Sequence, residues 1–331
     1  MVIPKTFIML HQHPTTTSRK PAALTGELID SAYALQLKQG FRERFPQEIT
    51  SIFIKTATVF DAVKELPQVS GIRFMYGMES ANDPTSKVIL LIPCNSTSAH
   101  LAIPNTIVQP QGYLNHRGER VGLKRTWELL YNHAVHYACL LPEVKFNKIV
   151  RGVFFGIDSL HALLKEYTQA HGMHYYFGWD ETVAGPAIQH KPVLQPVQAD
   201  GNSYNIYMDY GSPCPPVCPG EGDSCVATNS VNIGHVLTNN EDAELNIYRH
   251  YRDNYFLANA GNGPLVEMYY YVSPALTEAI QDTGRASAIY TELYNEEIRQ
   301  CNVLIGEGKY EAAKVLFEQT MERLMKTYLF H

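Results

Sequence analysis

Cys214, Cys218 and Cys225, followed by His235, form the densest group of potential metal ligands in the chain, spaced C-x3-C-x6-C-x9-H. Thiolate and imidazole are the donors tetrahedral zinc prefers, and a bound ion would order a loop that few apolar contacts could hold. Structural zinc usually opens on one tight cysteine pair and closes on a second, which this spacing lacks. A free-thiol loop or a local disulfide is the preferred reading; zinc is the one cofactor the pattern admits, and none is expected. Cys225 could instead be a nucleophile if His235 or His250 lay within hydrogen-bond reach as its base. The competing reading is a small buried cysteine at the start of a helical segment.

Three further groups could do chemistry. His133 and His136 lie one helical turn apart and could chelate a metal from one face. No HExxH arrangement accompanies them, so a partly exposed helical face is expected. Arg73 and His174 occupy equivalent places in two similar segments, with Glu79 and Asp180 just beyond, and could line a pseudo-symmetric ligand cleft. Alternation along a half-covered sheet predicts the same residues on a solvated face. Tyr248, Arg249, Tyr251, Arg252, Tyr269 and Tyr270 supply the side chains that dominate interface hot spots and are read as a partner or self-assembly surface, with ordinary helix packing as the alternative. His11 and His13 read as part of a polar arm.

These residues are positioned by a duplicated unit. Ile52 to Glu79 aligns with Val153 to Asp180 without a gap at a constant offset of 101, and Phe53, Lys64, Glu65, Gln68, Gly71 and Gly77 recur as Phe154, Lys165, Glu166, Gln169, Gly172 and Gly178. Ile52 to Ile54 and Val153 to Phe155 are short apolar runs consistent with buried strands. Apolar residues at helical spacing follow each run, with Asp158 or Ser159 as a plausible cap in the second. Glycine-bounded aromatic strands come next, Gly71 to Gly77 and Gly172 to Gly178. A third strand is expected at Lys87 to Pro93 and another at Lys191 to Val197, the latter reduced to an edge or loop by Pro192 and Pro196. Helical patterns precede both copies, at Leu28 to Phe45 and Leu123 to Leu141.

The expected class is α/β (α+β): two helix-strand-helix-strand-strand units forming small mixed sheets covered by helices, with the strand-helix-strand passage a parallel crossover, then an all-helical end. The expected divisions are an arm (1–27), unit one (28–122), unit two (123–210), a Cys/Pro/Gly-rich linker (211–240) too poor in regular formers for helix or strand, and a helical region (241–331). In its last helix, Ala312, Val315, Leu316, Gln319, Met321 and Leu324 form the stripe expected to pack.

Across the segment Cys225 to Ile280, which runs from the linker into that helical region, Cys225-Val-Ala-Thr228, Tyr248-Arg-His-Tyr-Arg-Asp253, Leu257, Gly263, Tyr269, Tyr270, Ser273, Pro274, Leu276 and Ile280 resemble the CFI-box, a C-terminal module seen on otherwise unrelated bacterial proteins. Val226 and Ala227 stand where its name-giving Phe and Ile would be. The duplicated unit, with the Pro213-Cys-Pro-Pro-Val-Cys218 loop, resembles uncharacterised Bacteroidota proteins carrying a Gly-Ile-Arg-aromatic-Tyr-Gly strand. The resemblances imply a bacterial origin and bring no activity.

The 331 residues are 45% hydrophobic, ample for sizeable cores, and carry a net charge of -6 with no basic stripe, so nucleic acid is not an expected partner. No apolar run is long enough to span a bilayer, and the start is too short for a secretory signal, so a cytoplasmic location is expected. There is no phosphate loop and no G-x-S-x-G elbow. The preferred function is a non-enzymatic interaction or assembly scaffold that binds a protein partner or its own copies through a helical docking module. The alternatives are a thiol- or metal-dependent hydrolase centred on Cys225 and a small-molecule binder in a cleft between the repeats.

Overall fold

The computed structural model describes residues 22–65, 68–95, 105–106, 112–144, 149–183, 189–214, 246–248, 250–256 and 262–328. The first unit runs β1 (Glu27–Ile29), α1 (Ser31–Arg44), β2 (Ser51–Lys55), α2 (Thr56–Lys64), β3 (Gly71–Met78) and β4 (Lys87–Asn95). The short strands β5 (Asn105–Thr106), β6 (Tyr113–Asn115) and β7 (Arg120–Val121) lead to the second unit. That unit runs α3 (Leu123–Leu140), β8 (Gly152–Gly156), α4 (Ile157–His161, continued by the π-helical turn Ala162–Glu166), β9 (Gly172–Tyr176) and β10 (Val193–Val197). Two more short strands follow, β11 (Tyr207–Asp209) and β12 (Ser212–Cys214). The chain is thus mixed α/β, with two small sheets and a helical C-terminal region. β12 pairs with β8, so the Pro-rich linker begins as a strand.

The two units are interwoven. Sheet I has the order β1-β11-β10-β9-β2 and sheet II the order β12-β8-β3-β4-β6-β7, with β5 beside β4. The strand that opens each repeated segment therefore pairs with the next strand of the other, β2 with β9 and β8 with β3, in one shared register: Lys55 faces Gly172 in sheet I, and Gly156 faces Gly71 in sheet II. All pairings are antiparallel, which corrects the expected parallel crossover. The reason lies in the connecting helices. Val59 and Ala62 of α2, and Leu160, Leu163 and Leu164 of α4 and its π turn, are buried in the core between the sheets. A helix that fills that gap delivers the chain to the opposite sheet instead of returning it to its own.

Several repeated residues now have causes. A Cβ on Gly71 would lie 2.4 Å from the Phe154 ring, and one on Gly172 would lie 2.4 Å from the Phe53 ring, so each repeated glycine seats the repeated phenylalanine of its neighbouring strand. Gln68 and Gln169 share left-handed backbone, at φ 59° and 49°. β10 lies inside sheet I, which corrects the edge or loop expected there. Pro196 is tolerated because its backbone polar side is turned away from β9: its carbonyl accepts from Tyr204 N at 2.9 Å, and the missing N–H points the same way. Gly156, without a side-chain bond, holds the capping position of α4 in place of Asp158 or Ser159.

Ile72, Phe74 and Tyr76 of sheet II meet Met173 and Tyr175 of sheet I, with Phe177 just beyond β9, in a single core. The Phe74 and Tyr175 rings lie 5.4 Å apart. The outer face of sheet II is also covered. Met75, Leu90, Ile92 and Phe154 pack with Trp127 of α3 and with Met268, Val272 and Leu276 of α5 (Gly263–Asp282). Burying side chains of this size contributes roughly 1.5–3 kcal/mol each. Behind α5 stand α6 (Ala286–Leu293), the π turn Tyr294–Ile298, α7 (Arg299–Gly306) and α8 (Tyr310–Tyr328). The buried stripe of α8 is Ala313, Met321, Leu324 and Met325, so Ala312, Val315 and Gln319 lie outside it.

Candidate functional site

The strongest cluster of ionisable groups lies at the edge of the inter-sheet core. Lys87, at the start of β4, places Nζ 2.7 Å from Glu48 Oε2, with both side chains almost wholly shielded. Glu48 Oε1 meets His136 Nε2 of α3 at 2.5 Å, and Lys87 Nζ also donates to the Tyr137 hydroxyl at 2.8 Å. The ammonium lies over the Phe177 ring at 4.2 Å and the Phe41 ring at 4.7 Å. Burial pushes Lys87 down to about 8, against the pull of Glu48. Burial also opposes the Glu48 charge, but the His136 hydrogen bond and the Lys87 charge outweigh it and hold the carboxyl below its usual value. His136 is raised by Glu48 and the Ala81 carbonyl in spite of desolvation.

The second unit lacks this arrangement at the matching place. The ends of α1 and α3 correspond, since Phe45 and Leu141 cap them with N–H bonds to Phe41 O and Tyr137 O. Glu48 N then bonds Phe45 O as Val144 N bonds Leu141 O, so Val144 is the counterpart of Glu48. The β3–β4 and β9–β10 ladders match in the same way: Gly71 faces Cys94 and Gly172 faces Val197. Carried three residues before β10, that register sets His190 opposite Trp179 just as Lys87 faces Met78, making His190 the counterpart of Lys87. There, a cavity of about 20 Å3 is lined by Tyr76, His133, Tyr137, Val144 and His190 among others. The Tyr76 hydroxyl lies 2.6 Å from both Tyr175 OH and His190 Nε2. Burial and the nearby Lys87 charge push His190 down to about 3, so it is neutral. The space is of the size of a single water and far below that of a ligand pocket.

The outer face of sheet I is different in character. α1 covers part of it, with Ala34 and Leu37 packed on Val193 and Tyr207. Beyond the helix, Phe53 is 36% exposed, whereas its counterpart Phe154 on sheet II is 0% exposed. The Phe53 ring contacts His174 edge-on at 5.6 Å and stacks on His171 at 6.3 Å. Lys38 Nζ lies 3.6 Å above the Tyr176 ring and donates to Gln195 Oε1 at 2.8 Å. No ion pair to Lys38 is found among the described residues, and burial alone pushes it down to about 8.

Several expected site residues are dispersed. Arg73 and His174 both point away from the shared core, and because the sheets face each other these directions are opposite: Arg73 is 0% exposed beneath the C-terminal helices, and His174 lies on the partly open face. They share no cleft. Glu79 is exposed and pairs with Arg125, while Asp180 is buried and accepts from Tyr33 OH at 3.0 Å and Thr182 Oγ1 at 2.6 Å. His133 and His136 are shielded rather than on an exposed face, and their nitrogens go to Val150 O and to Glu48 and Ala81 O, not to a common point. Among the described residues no group of three or more His, Cys, Asp or Glu could hold a metal. Cys214 closes β12, whereas Cys218, Cys225 and His235 lie outside the described residues; His250 is exposed beside Asn254. Of the tyrosines expected at an interface, Tyr251 is buried and donates to Tyr310 O at 2.6 Å, Tyr248 donates to Ile298 O at 2.9 Å, and Tyr269 packs on Phe317 at 5.4 Å. These three build helix packing. Arg252 is half-buried, Arg249 lies outside the described residues, and Tyr270 falls within α5.

Sequence reasoning missed Glu48, Lys87, Lys38 and His190. The available signal was Lys87 at the head of an apolar run, since a charge there must either reach solvent or find a partner. Among the described residues no helix is long and apolar enough to cross a membrane. Comparison with known protein families, curated proteins and solved structures finds no match for this chain.

Proposed function

We propose that this chain is a non-enzymatic docking protein whose interwoven sheets form a rigid platform and whose docking surface is the outer face of sheet I. The observation that carries this reading is the unequal cover of two equivalent faces, with Phe53 36% exposed where Phe154 is 0% exposed. An exposed aromatic ring near a cation that has no ionic partner among the described residues is the usual making of an interface. The ionisable cluster between the sheets is shielded and adjoins, among the described residues, a space of water size, which favours a structural role for it. The helical segment resembling the CFI-box acts in this reading as the cover of sheet II, and the chain works in the cytoplasm, where thiols such as the buried Cys94 and Cys301 stay reduced.

Photo-crosslinking tests the reading. A benzoylphenylalanine replacing Phe53, with the same residue replacing the exposed Leu140 of α3 as control, is irradiated in living cells. A protein adduct from position 53 and none from position 140 is expected; no adduct from position 53 overturns the proposal.

A further inference from the structure

We propose that Asp209 is a pH latch: its carboxyl keeps the first half of α1 closed on sheet I while protonated and releases it when ionised. Met208 of β11 faces the core between the sheets, so Asp209 faces outward by alternation, with Glu27 opposite it on β1 and Val193 beside it on β10. The first turns of α1 close over that spot, since Tyr33 and Ala34 pack in one cluster with Val193 and Tyr207. Asp209 is left 0% exposed, and among the described residues neither carboxyl oxygen has a hydrogen-bond partner. Buried polar groups are almost always paired, and a carboxylate enclosed without donors costs far more than a neutral carboxyl. The closed arrangement therefore favours the protonated form. No neighbour makes up for the missing donors. The Asp180 carboxylate nearby is already engaged by Tyr33 OH and Thr182, so it adds repulsion rather than a bond. Lys191 stands 5.9 Å from the Tyr210 ring and forms no ion pair among the described residues. Tyr210, in left-handed backbone at φ 60°, brings its N–H near the carboxyl without completing a hydrogen bond. Burial pushes Asp209 up to about 7 against the pull of both.

The helix above Asp209 is fixed at one end. In its second half Phe41 is locked into the core between the sheets, and a Cβ on Gly40 would lie 2.4 Å from the Trp179 carbonyl. The first half rests on Ala34, Leu37 and the Tyr33–Asp180 hydrogen bond. Once open, Asp209 returns to the usual 3.8. Between that value and about 7 the closed form holds a proton that the open form has lost, so opening gains up to about tenfold per pH unit and levels off above 7. The other groups around it act elsewhere or in opposition. Lys38 of α1, pushed down to about 8 by burial, favours closure only as pH rises beyond that, and His174, held below its usual value by burial and by Lys38, favours closure as pH approaches 6.5. Asp180 is held low and acts only in acid, while the hydroxyls of Tyr33, Tyr210 and, across the sheet, Tyr76 and Tyr175 are raised and stay neutral. Glu27 and the cap Asp30 are exposed at the rim. Release uncovers Val193 and Tyr207 and so enlarges the face read above as a docking surface, but the latch does not depend on that reading.

Amide hydrogen exchange on the full-length protein tests the latch, with each rate divided by its intrinsic rate at the same pH. From about pH 5 to about pH 7 the amides of Ala34 to Leu37 should open progressively more, then level off, while amides of α5 on the other sheet stay protected and exclude global unfolding. Asp209→Asn keeps the shape without the charge and should leave α1 equally protected across the range. Lys191→Met removes the attracting ammonium and should carry the rise to higher pH. Protection of α1 that does not change with pH in the wild type, or an unchanged rise in Asp209→Asn, overturns the proposal. A direct measurement needs no variant to fold: the carboxyl carbon NMR shift of Asp209 should titrate near 7 in the wild type, and a midpoint in the ordinary carboxylate range overturns the proposal. The docking reading is decided separately, by crosslinking from position 53.

Discussion

Phe53 and Phe154 share a strand position, a neighbouring glycine and a register, yet one side chain is partly in solvent and the other is sealed. What separates them is the chain that arrives later. Sheet II receives α3 and α5 over its outer face, and among the described residues sheet I receives α1 over part of its own. Duplication supplied two equivalent surfaces, and covering one with helix turned it into core. The uncovered surface kept aromatic rings that a solvent-facing strand does not need for folding, which is the physical basis for reading it as a docking face.

The largest test of this contrast is truncation at the paired phenylalanines. Phe154→Ala should cost about 3–5 kcal/mol in urea denaturation, as for any fully enclosed ring, whereas Phe53→Ala should cost about 1 kcal/mol because its ring is only partly enclosed. Similar losses at the two positions would mean that sheet I is covered after all, and the contrast would collapse.

A second contrast lies inside the core. Lys87→Met leaves the Glu48 carboxylate buried without its ammonium and should cost about 3–5 kcal/mol. At the counterpart, His190→Met loses one neutral hydrogen bond to Tyr76 and should cost about 1–2 kcal/mol. The pH dependence adds a sign. Glu48 is held below its usual value in the fold, so its contribution is present above the unfolded value of 4.5 and is lost as pH falls through the folded value. His136 is raised, so its contribution is present below 6.5 and lost as pH rises through its folded value. Glu48→Gln should therefore be far less stable than wild type near pH 6, and the gap should close in acid. A gap independent of pH would mean that Glu48 is not ionised in the fold.

Much of this fold was legible because periodicity reports burial. The apolar runs around Phe53 and Phe154, the glycine-bounded strands and the C-terminal helices all lie close to where pattern placed them. The exchange of strands between units was hidden, because alternation says which face of a strand is apolar and not which sheet it joins. Arg73 read as solvated for the same reason: its cover comes from helices supplied by later parts of the chain, α3 and α5, and no pattern local to the strand announces them. Glu48 and Lys87 were illegible as a pair since one follows a helix and the other starts a strand, and only tertiary packing joins them. The interface tyrosines misled because Tyr serves core and surface alike; Tyr251 shows the difference, its ring stacked on Tyr255 and its hydroxyl spent on a backbone carbonyl.

The smallest effect checks whether the two units are equivalent where neither outer face intervenes. Gln68 and Gln169 occupy left-handed backbone that costs a side chain roughly 1 kcal/mol. Glycine removes that strain but adds freedom to the unfolded chain, so Gln68→Gly and Gln169→Gly should each change stability by no more than about 0.5 kcal/mol, both in the stabilising direction. Equal gains would show that the repeated turn is held by its own geometry in both units. A loss at either position would mean that its glutamine side chain supports the packing around it, and the two turns would then differ as the two sheet faces do.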